Sequence, residues 1–204
     1  MSTLPSSGYH GDISPRRQAL DRTVQTALYA TLRWFADHWL ALVNIAAFIA
    51  VLLPTAVAPL LQLAGYDQAA DAIFIVYSFT CHQMPSRSFF PWGEQMAMCH
   101  RMTAIHASFF VFGMLYITVR RRFRPLPFPL LVAYSFPMAA DGFTQLFGWR
   151  ESTWELRVMT GTLFGLAVVW YTFPHFELLM RITSYSLSRQ LDQLRQTANT
   201  ARPA

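Results

Sequence analysis

Trp39 to Tyr66 reads WLALVNIAAFIAVLLPTAVAPLLQLAGY, 28 consecutive residues with no Asp, Glu, Lys, Arg or His. A helix needs about 20 mostly apolar residues to cross the hydrocarbon core of a bilayer, so this run alone predicts a membrane span. Three further runs follow it: Met102 to Ile105 continuing after His106 as Ala107 to Val119, then Pro125 to Ala140, then Val158 to Pro174. The second reaches spanning length with His106 inside it, the third by continuing past Asp141 to Phe147, and the fourth by extending past His175 to Phe176. The expectation is an all-α membrane protein with four transmembrane helices. Ala72 to Ser86 is too short for a fifth span and is expected as an interfacial or re-entrant helix within the first external loop, residues 67–101. Composition agrees, because the 204 residues are 53% hydrophobic and only 13% charged, against about 25% charged in soluble domains. Disorder and ordinary soluble globularity are excluded.

All sixteen basic residues are Arg. Twelve sit in three places: Arg16, Arg17, Arg22 and Arg33 before the first span; Arg120, Arg121, Arg122 and Arg124 after the second; and Arg181, Arg189, Arg195 and Arg202 in the tail. Basic residues near span ends are retained in the cytoplasm, so four spans place both termini there, in a bacterial inner membrane. No cleavable signal peptide is expected, since Met1 to Asp37 is polar and contains Arg. Residues 1–38 then form a cytoplasmic amphipathic arm, with Leu20, Val24, Ala27, Leu28, Leu32 and Phe35 on one face and a helix start at Ser14-Pro15. Residues 39–177 form the four-helix membrane domain. Residues 178–204 form a tail helix with Ser184, Leu187, Leu191 and Leu194 at heptad-like spacing, suited to solvent or to a partner helix. The +5 net charge points to anionic headgroups and not to nucleic acid, because apolar runs separate the arginines.

With this topology the unusual residues collect on the outer side. The first external loop carries Cys81, His82, Arg87, Cys99, His100 and Arg101; His106 lies in the first turns of the second span; Asp141 and Gln145 share one face at the end of the third; Arg150 and Arg157 flank the start of the fourth. Ionisable residues at membrane depth face a packed interior or a water-filled cavity. Cys81 and Cys99 suit a disulfide, buried free thiols, or a transition-metal site such as zinc completed by His82 and His100 or by His106. Asp141 and Arg157 suit an ion pair pinning two helices. Alternatively Arg87, Arg101, Arg150 and Arg157, with Gln145, form an anion pocket, because guanidinium forks grip phosphate and carboxylate groups. Asp141 and His106 would then do the proton work beside it. Pro137 frees the Ala133 carbonyl and can kink the third span, and Gly161 and Gly165 form a small-xxx-small pair suited to close helix packing. No phosphate-binding, dinucleotide-binding, zinc-protease or serine-hydrolase motif is present.

Five ordered blocks carry a resemblance. Cys81-His82-Gln83-x-Pro85-x-Arg87-Ser88-Phe89, then Cys99-x-Arg101, then Asp141-Gly142-x-x-Gln145, then Gly148-x-Arg150-x-Ser152, then Arg157-x-x-Thr160-Gly161-x-x-Phe164-Gly165 resemble the bacterial and archaeal membrane proteins grouped as domain of unknown function 2085. The resemblance runs from about Cys81 to Gly165 and implies a small multi-pass membrane protein, without indicating a reaction. In that pattern a further Cys usually follows the Arg of Cys-x-Arg, where this chain has Met102, and a Tyr usually stands at the position of His106. A three-thiolate metal centre would therefore be short of one ligand here, whereas a disulfide would lose nothing.

Two functional expectations remain. One is a ligand-handling site, of enzymatic or binding character, for an anionic lipid or lipophilic substrate, with a metal or redox centre at the Cys-His pairs. The other is a non-catalytic small subunit of a larger membrane complex, with a structural disulfide between Cys81 and Cys99.

Overall fold

The computed structural model describes residues 15–119 and 124–200. The expected helix start at Ser14 and the arginines Arg120, Arg121, Arg122 and Arg202 lie outside the described residues. Six α-helices are present among the described residues: α1 Pro15–Ala47, α2 Leu53–Leu63, α3 Asp67–Ser78, α4 His100–Val119, α5 Phe128–Leu146 and α6 Trp154–Thr200. No strand occurs among them, and Ser88 and Cys99 form an isolated antiparallel bridge. The chain divides into two compact units, one of Trp39–Leu178 and one combining Met1–His38 with Leu179–Ala204.

Three helical stretches are long and apolar enough to cross a membrane: Arg16–Leu63, His100–Val119 and Trp154–Ala198. α5 has 19 residues, about 28 Å at 1.5 Å per residue, but Pro129, Pro137, Asp141 and Gln145 keep it out of that apolar set. The expected arm and first span are not separate helices. α1 continues through a π-helical segment, Phe48–Leu52, directly into α2. Pro54 has no N–H to offer the Ala50 carbonyl four residues earlier, and the Tyr77 hydroxyl of α3 donates to that carbonyl. The π segment and the borrowed hydroxyl let a proline-containing span continue as helix.

α6 likewise joins the expected fourth span to the expected tail helix without a break. Pro174 frees the Trp170 carbonyl, and the Leu126 backbone N–H donates to it at 3.4 Å, while Trp170 Nε1 donates to the Arg124 carbonyl at 3.0 Å. The segment before α5 thus compensates the interior proline of α6. Within the smaller unit, Leu187 and Leu191 are buried and Ser184 Oγ donates to Asp37 Oδ1 at 2.6 Å. Those tail leucines are taken up by the chain itself rather than left to solvent.

α3 begins five residues earlier than the expected Ala72 and ends at Ser78. Gly65, at φ +77°, terminates α2 in a left-handed turn that L side chains avoid, and Asp67 in the first turn of α3 complements the helix dipole. At 12 residues, about 18 Å, α3 is too short to span. Its Tyr77 packs with Ala58, Ala97 and Met98 in a small core to which Val51, Ile73, Phe74 and Met102 add. Ala97 and Met98 come from the loop before α4, so that loop is folded back onto α2 and α3.

α4 packs closely on two neighbours. At Gly161 and Gly165 of α6 an added Cβ would meet the Arg101 carbonyl oxygen at 2.9 Å and the Ile105 carbonyl oxygen at 3.0 Å. At Gly113 it would overlap the Asn44 side chain of α1. Aromatic contacts complete the larger unit: Phe48 with Phe110 at 4.8 Å, and Phe173 with both Trp39 and Tyr116 at 5.8 Å between ring centroids.

Candidate functional site

The loop between α3 and α4 is stitched by two glutamines, Gln83 and Gln95. Gln83 adopts the left-handed region at φ +51°, which costs a non-glycine residue energy unless its surroundings demand it. Its side chain supplies the demand, donating from Nε2 to the Phe74 carbonyl at 2.7 Å and the Ala97 carbonyl at 3.1 Å. Gln95 Nε2 in turn donates to the Gln83 carbonyl at 2.7 Å. These bonds draw the two ends of the loop together and set Cys81 against Cys99. The Cys99 backbone N–H donates to Cys81 Sγ at 3.2 Å. Both cysteines are free thiols, Cys81 buried and Cys99 half-buried. The structural disulfide expected as a staple is therefore absent, and amide hydrogen bonds hold the loop in its place. The Cys99 thiol donating to Cys81, with the backbone N–H groups of Gln83 and Cys99, pulls Cys81 down to about 5, and the same bond with burial pushes Cys99 up.

The expected four-donor metal set is not assembled. Among the described residues no three His, Cys, Asp or Glu are grouped to hold a metal ion. His100 packs edge-on against Phe89 at 4.3 Å between ring centroids. His82 is exposed and stands beside the thiols. His106 donates from Nδ1 to the Met102 carbonyl at 2.8 Å, four residues back on its own helix, and does not join Asp141.

Asp141 is 2% exposed and is gripped from two sides. Arg101 Nη2 of α4 pairs with Oδ2, and Arg150 Nη2 pairs with Oδ1 at 2.7 Å. Gly148, at φ +70°, ends α5 in a left-handed turn and sends the chain back so that Arg150 can reach both Asp141 and Thr144 Oγ1, the latter at 3.2 Å. Asp141 thus pairs with Arg101 and Arg150 and not with the expected Arg157.

Beside this ion pair is a cavity of about 400 Å³ lined by Thr80, Cys81, His82, Gln83, Met84, Arg87, Cys99, Arg101, Met102, Gln145, Leu146 and Arg157. The structure brings Arg87, Arg101, Arg157, Gln145 and both thiols to this one space. It does not bring Arg150, His100 or His106 there. Arg157 is 6% exposed, its Nη1 reaches only the Ser86 carbonyl at 3.5 Å, and its Nε has no partner. Arg101 Nε and Gln145 Nε2 are likewise buried without partners. All three orphaned groups on this lining are donors. Sequence reasoning passed over Gln83, Thr80 and Met84; Gln83 stands inside the Cys-His-Gln block and a polar residue there was the available signal.

The family model described as Predicted membrane protein (DUF2085) matches residues 81–171. An uncharacterized protein of Methanocaldococcus jannaschii is 43% identical over 107 residues, covering 51% of this chain and 68% of the relative. An uncharacterized protein of Methanothermobacter thermautotrophicus is 32% identical over 101 residues, covering 48% of this chain and 91% of the relative. No solved structure matches.

Proposed function

The chain belongs to the DUF2085 family of predicted membrane proteins, and on that footing we propose that its Arg-lined cavity is a receptor for an anionic, lipid-like ligand. The observation that carries this reading is Arg157, buried among the cavity walls with no carboxylate partner. A buried guanidinium without a paired carboxylate is costly; the nearby carboxylate, Asp141, is already taken by two other arginines, and the Cys81 thiolate on the same lining faces Arg87, Arg101 and Arg157 together, so positive charge is left over. An oxygen-rich anion would supply acceptors to the orphaned donors of Arg157, Arg101 and Gln145 at once.

Arg157→Met removes the charge and keeps much of the side-chain length. The expected result is loss of selective retention of phosphatidylglycerol over phosphatidylcholine, read by native mass spectrometry of protein taken from mixed nanodiscs. Thermal stability without added lipid should stay level or rise, because a buried unpaired charge has been exchanged for an apolar chain. Equal lipid selectivity in the variant and the parent would leave the cavity without its ligand role and favour the small-subunit reading.

The same reading takes α5 as a fourth span, with both termini cytoplasmic and the cavity toward the outer face of the inner membrane. Four spans put the termini on one side and three put them on opposite sides. Reporter fusions at each end that are active only in the cytoplasm should both be active; activity at one end alone would remove α5 from the spanning set.

A further inference from the structure

The Arg-lined cavity contains a pair of thiols that the ligand reading does not use. Cys81 Sγ accepts the backbone N–H of Cys99 at 3.2 Å, so it lies within about 4.7 Å of the Cys99 Cα, one bond further on. The Cys81 sulfur is thus within side-chain reach of Cys99, the first geometric requirement for an intrachain disulfide. Because the Gln83 and Gln95 amides already hold the loop, a bond between these sulfurs is not needed as a staple.

The surroundings distinguish the two sulfurs. Cys81 accepts the Cys99 backbone N–H and has His82 beside it, which favours its thiolate, while Cys99, although the Met102 and Arg101 backbone N–H groups also reach it, is pushed up by its neighbour Cys81 and by burial. Attack by a thiolate and resolution by a neighbouring thiol is the division of labour that thiol–disulfide exchange requires. Arg87, Arg101 and Arg157 share the cavity with both sulfurs.

We propose that Cys81 and Cys99 are a redox-active dithiol that reduces an organic disulfide carrying carboxylate groups. The Cys81 thiolate attacks one sulfur of the substrate, the substrate S–S bond breaks, and one half leaves as a thiolate. The Cys99 thiol gives its proton to that leaving group and attacks the Cys81 sulfur, releasing the second half, which takes a proton from solvent. In sum, the two protein thiols are oxidised to one intrachain disulfide and the substrate disulfide is reduced to two thiols. The carboxylate preference rests on the anion reading of the cavity; the exchange chemistry does not.

The test uses the full chain in nanodiscs, reduced, freed of reductant and kept from air. It is exposed to glutathione disulfide, which is anionic, or to hydroxyethyl disulfide, which is uncharged, and the loss of alkylatable thiols and the adduct mass are followed. With glutathione disulfide the parent should lose both thiols together and retain no adduct. Cys99→Ser should accumulate a mixed disulfide at residue 81, and Cys81→Ser should form its adduct at least about tenfold more slowly, because a protonated thiol is the poorer nucleophile. Arg157→Gln should lower the rate with glutathione disulfide by about tenfold, the scale of a local charge on association, with a smaller effect on the uncharged reagent. If neither reagent oxidises the pair in the folded chain while both thiols react after denaturation, the dithiol proposal is overturned and the cavity reading is untouched. If both reagents oxidise the pair equally fast and Arg157→Gln changes neither rate, the exchange chemistry stands while the carboxylate preference and the anion reading beneath it are overturned.

Discussion

Replacing Asp141 by Asn is expected to destabilise the protein by about 3–5 kcal/mol, the cost of breaking a buried ion pair from one side. The carboxylate is 2% exposed and holds Arg101 through one oxygen and Arg150 through the other. Arg150 is 45% exposed on its side chain and can return to water, but Arg101 is 22% exposed and its Nε already lacks a partner. Arg101 would be left as a second stranded charge next to Arg157. For a chain of this size each kcal/mol moves the unfolding midpoint by about 2–4 °C. A drop of about 6 °C or more in detergent is therefore expected for both Asp141→Asn and Asp141→Ala. The Asn variant should recover little, since it keeps the shape and loses only the charge. A midpoint unchanged in either variant would mean that the two arginines are adequately solvated without Asp141, contrary to the burial described above.

The second large effect is expected at the α4–α6 contact. Gly→Ala within a helix is favourable by about 0.5–1 kcal/mol on backbone grounds, so the sign at Gly161 depends on what the new methyl meets. It meets the Arg101 carbonyl oxygen at 2.9 Å and the Ala104 Cβ at 3.2 Å. Backbone cannot rotate away, so α4 and α6 must move apart, and the expected net loss is about 1–3 kcal/mol. At Gly165 the first obstacle is the Ser108 hydroxyl, which can be removed, although the Ile105 carbonyl remains at 3.0 Å. Ser108→Gly should thus rescue part of the Gly165→Ala defect and none of the Gly161→Ala defect. Because Gly161 lies against the Arg101 backbone, Gly161→Ala and Asp141→Asn should be non-additive in a double-mutant cycle. Strict additivity, or a gain in stability for Gly161→Ala, would show that the helices are not in close contact there.

Much of the architecture is legible along the chain because a bilayer imposes a one-dimensional rule. Charge-free runs of sufficient length become helices, and the stretches around Trp39–Tyr66, His100–Val119 and Trp154–Pro174 follow it. Helix ends and continuity escaped that rule. Pro54 and Pro174 are breakers in isolation, yet α1 passes through a π segment into α2 and α6 runs on unbroken, because Tyr77 and Leu126 supply donors to the carbonyls that the prolines leave open. Those donors lie 27 and 44 residues away in sequence, so no local reading can anticipate them.

The site divides along the same line. That Cys81, Arg87, Cys99, Arg101, Asp141, Arg150 and Arg157 are unusual is determined by the sequence alone, since thiols, guanidinium groups and a carboxylate stand out beside long charge-free helices and must be accommodated. Which of them meet is decided by tertiary structure. The Gly148 turn sends Arg150 to Asp141, the Gln83 amide brings Cys81 to Cys99, and Arg157 is left facing the cavity without a carboxylate partner. Hydrophobicity is a property each residue carries by itself, and so it can be read in order along the chain. Pairing of charges and thiols depends on distances of a few ångströms between helices, and those distances exist only once the helices have packed.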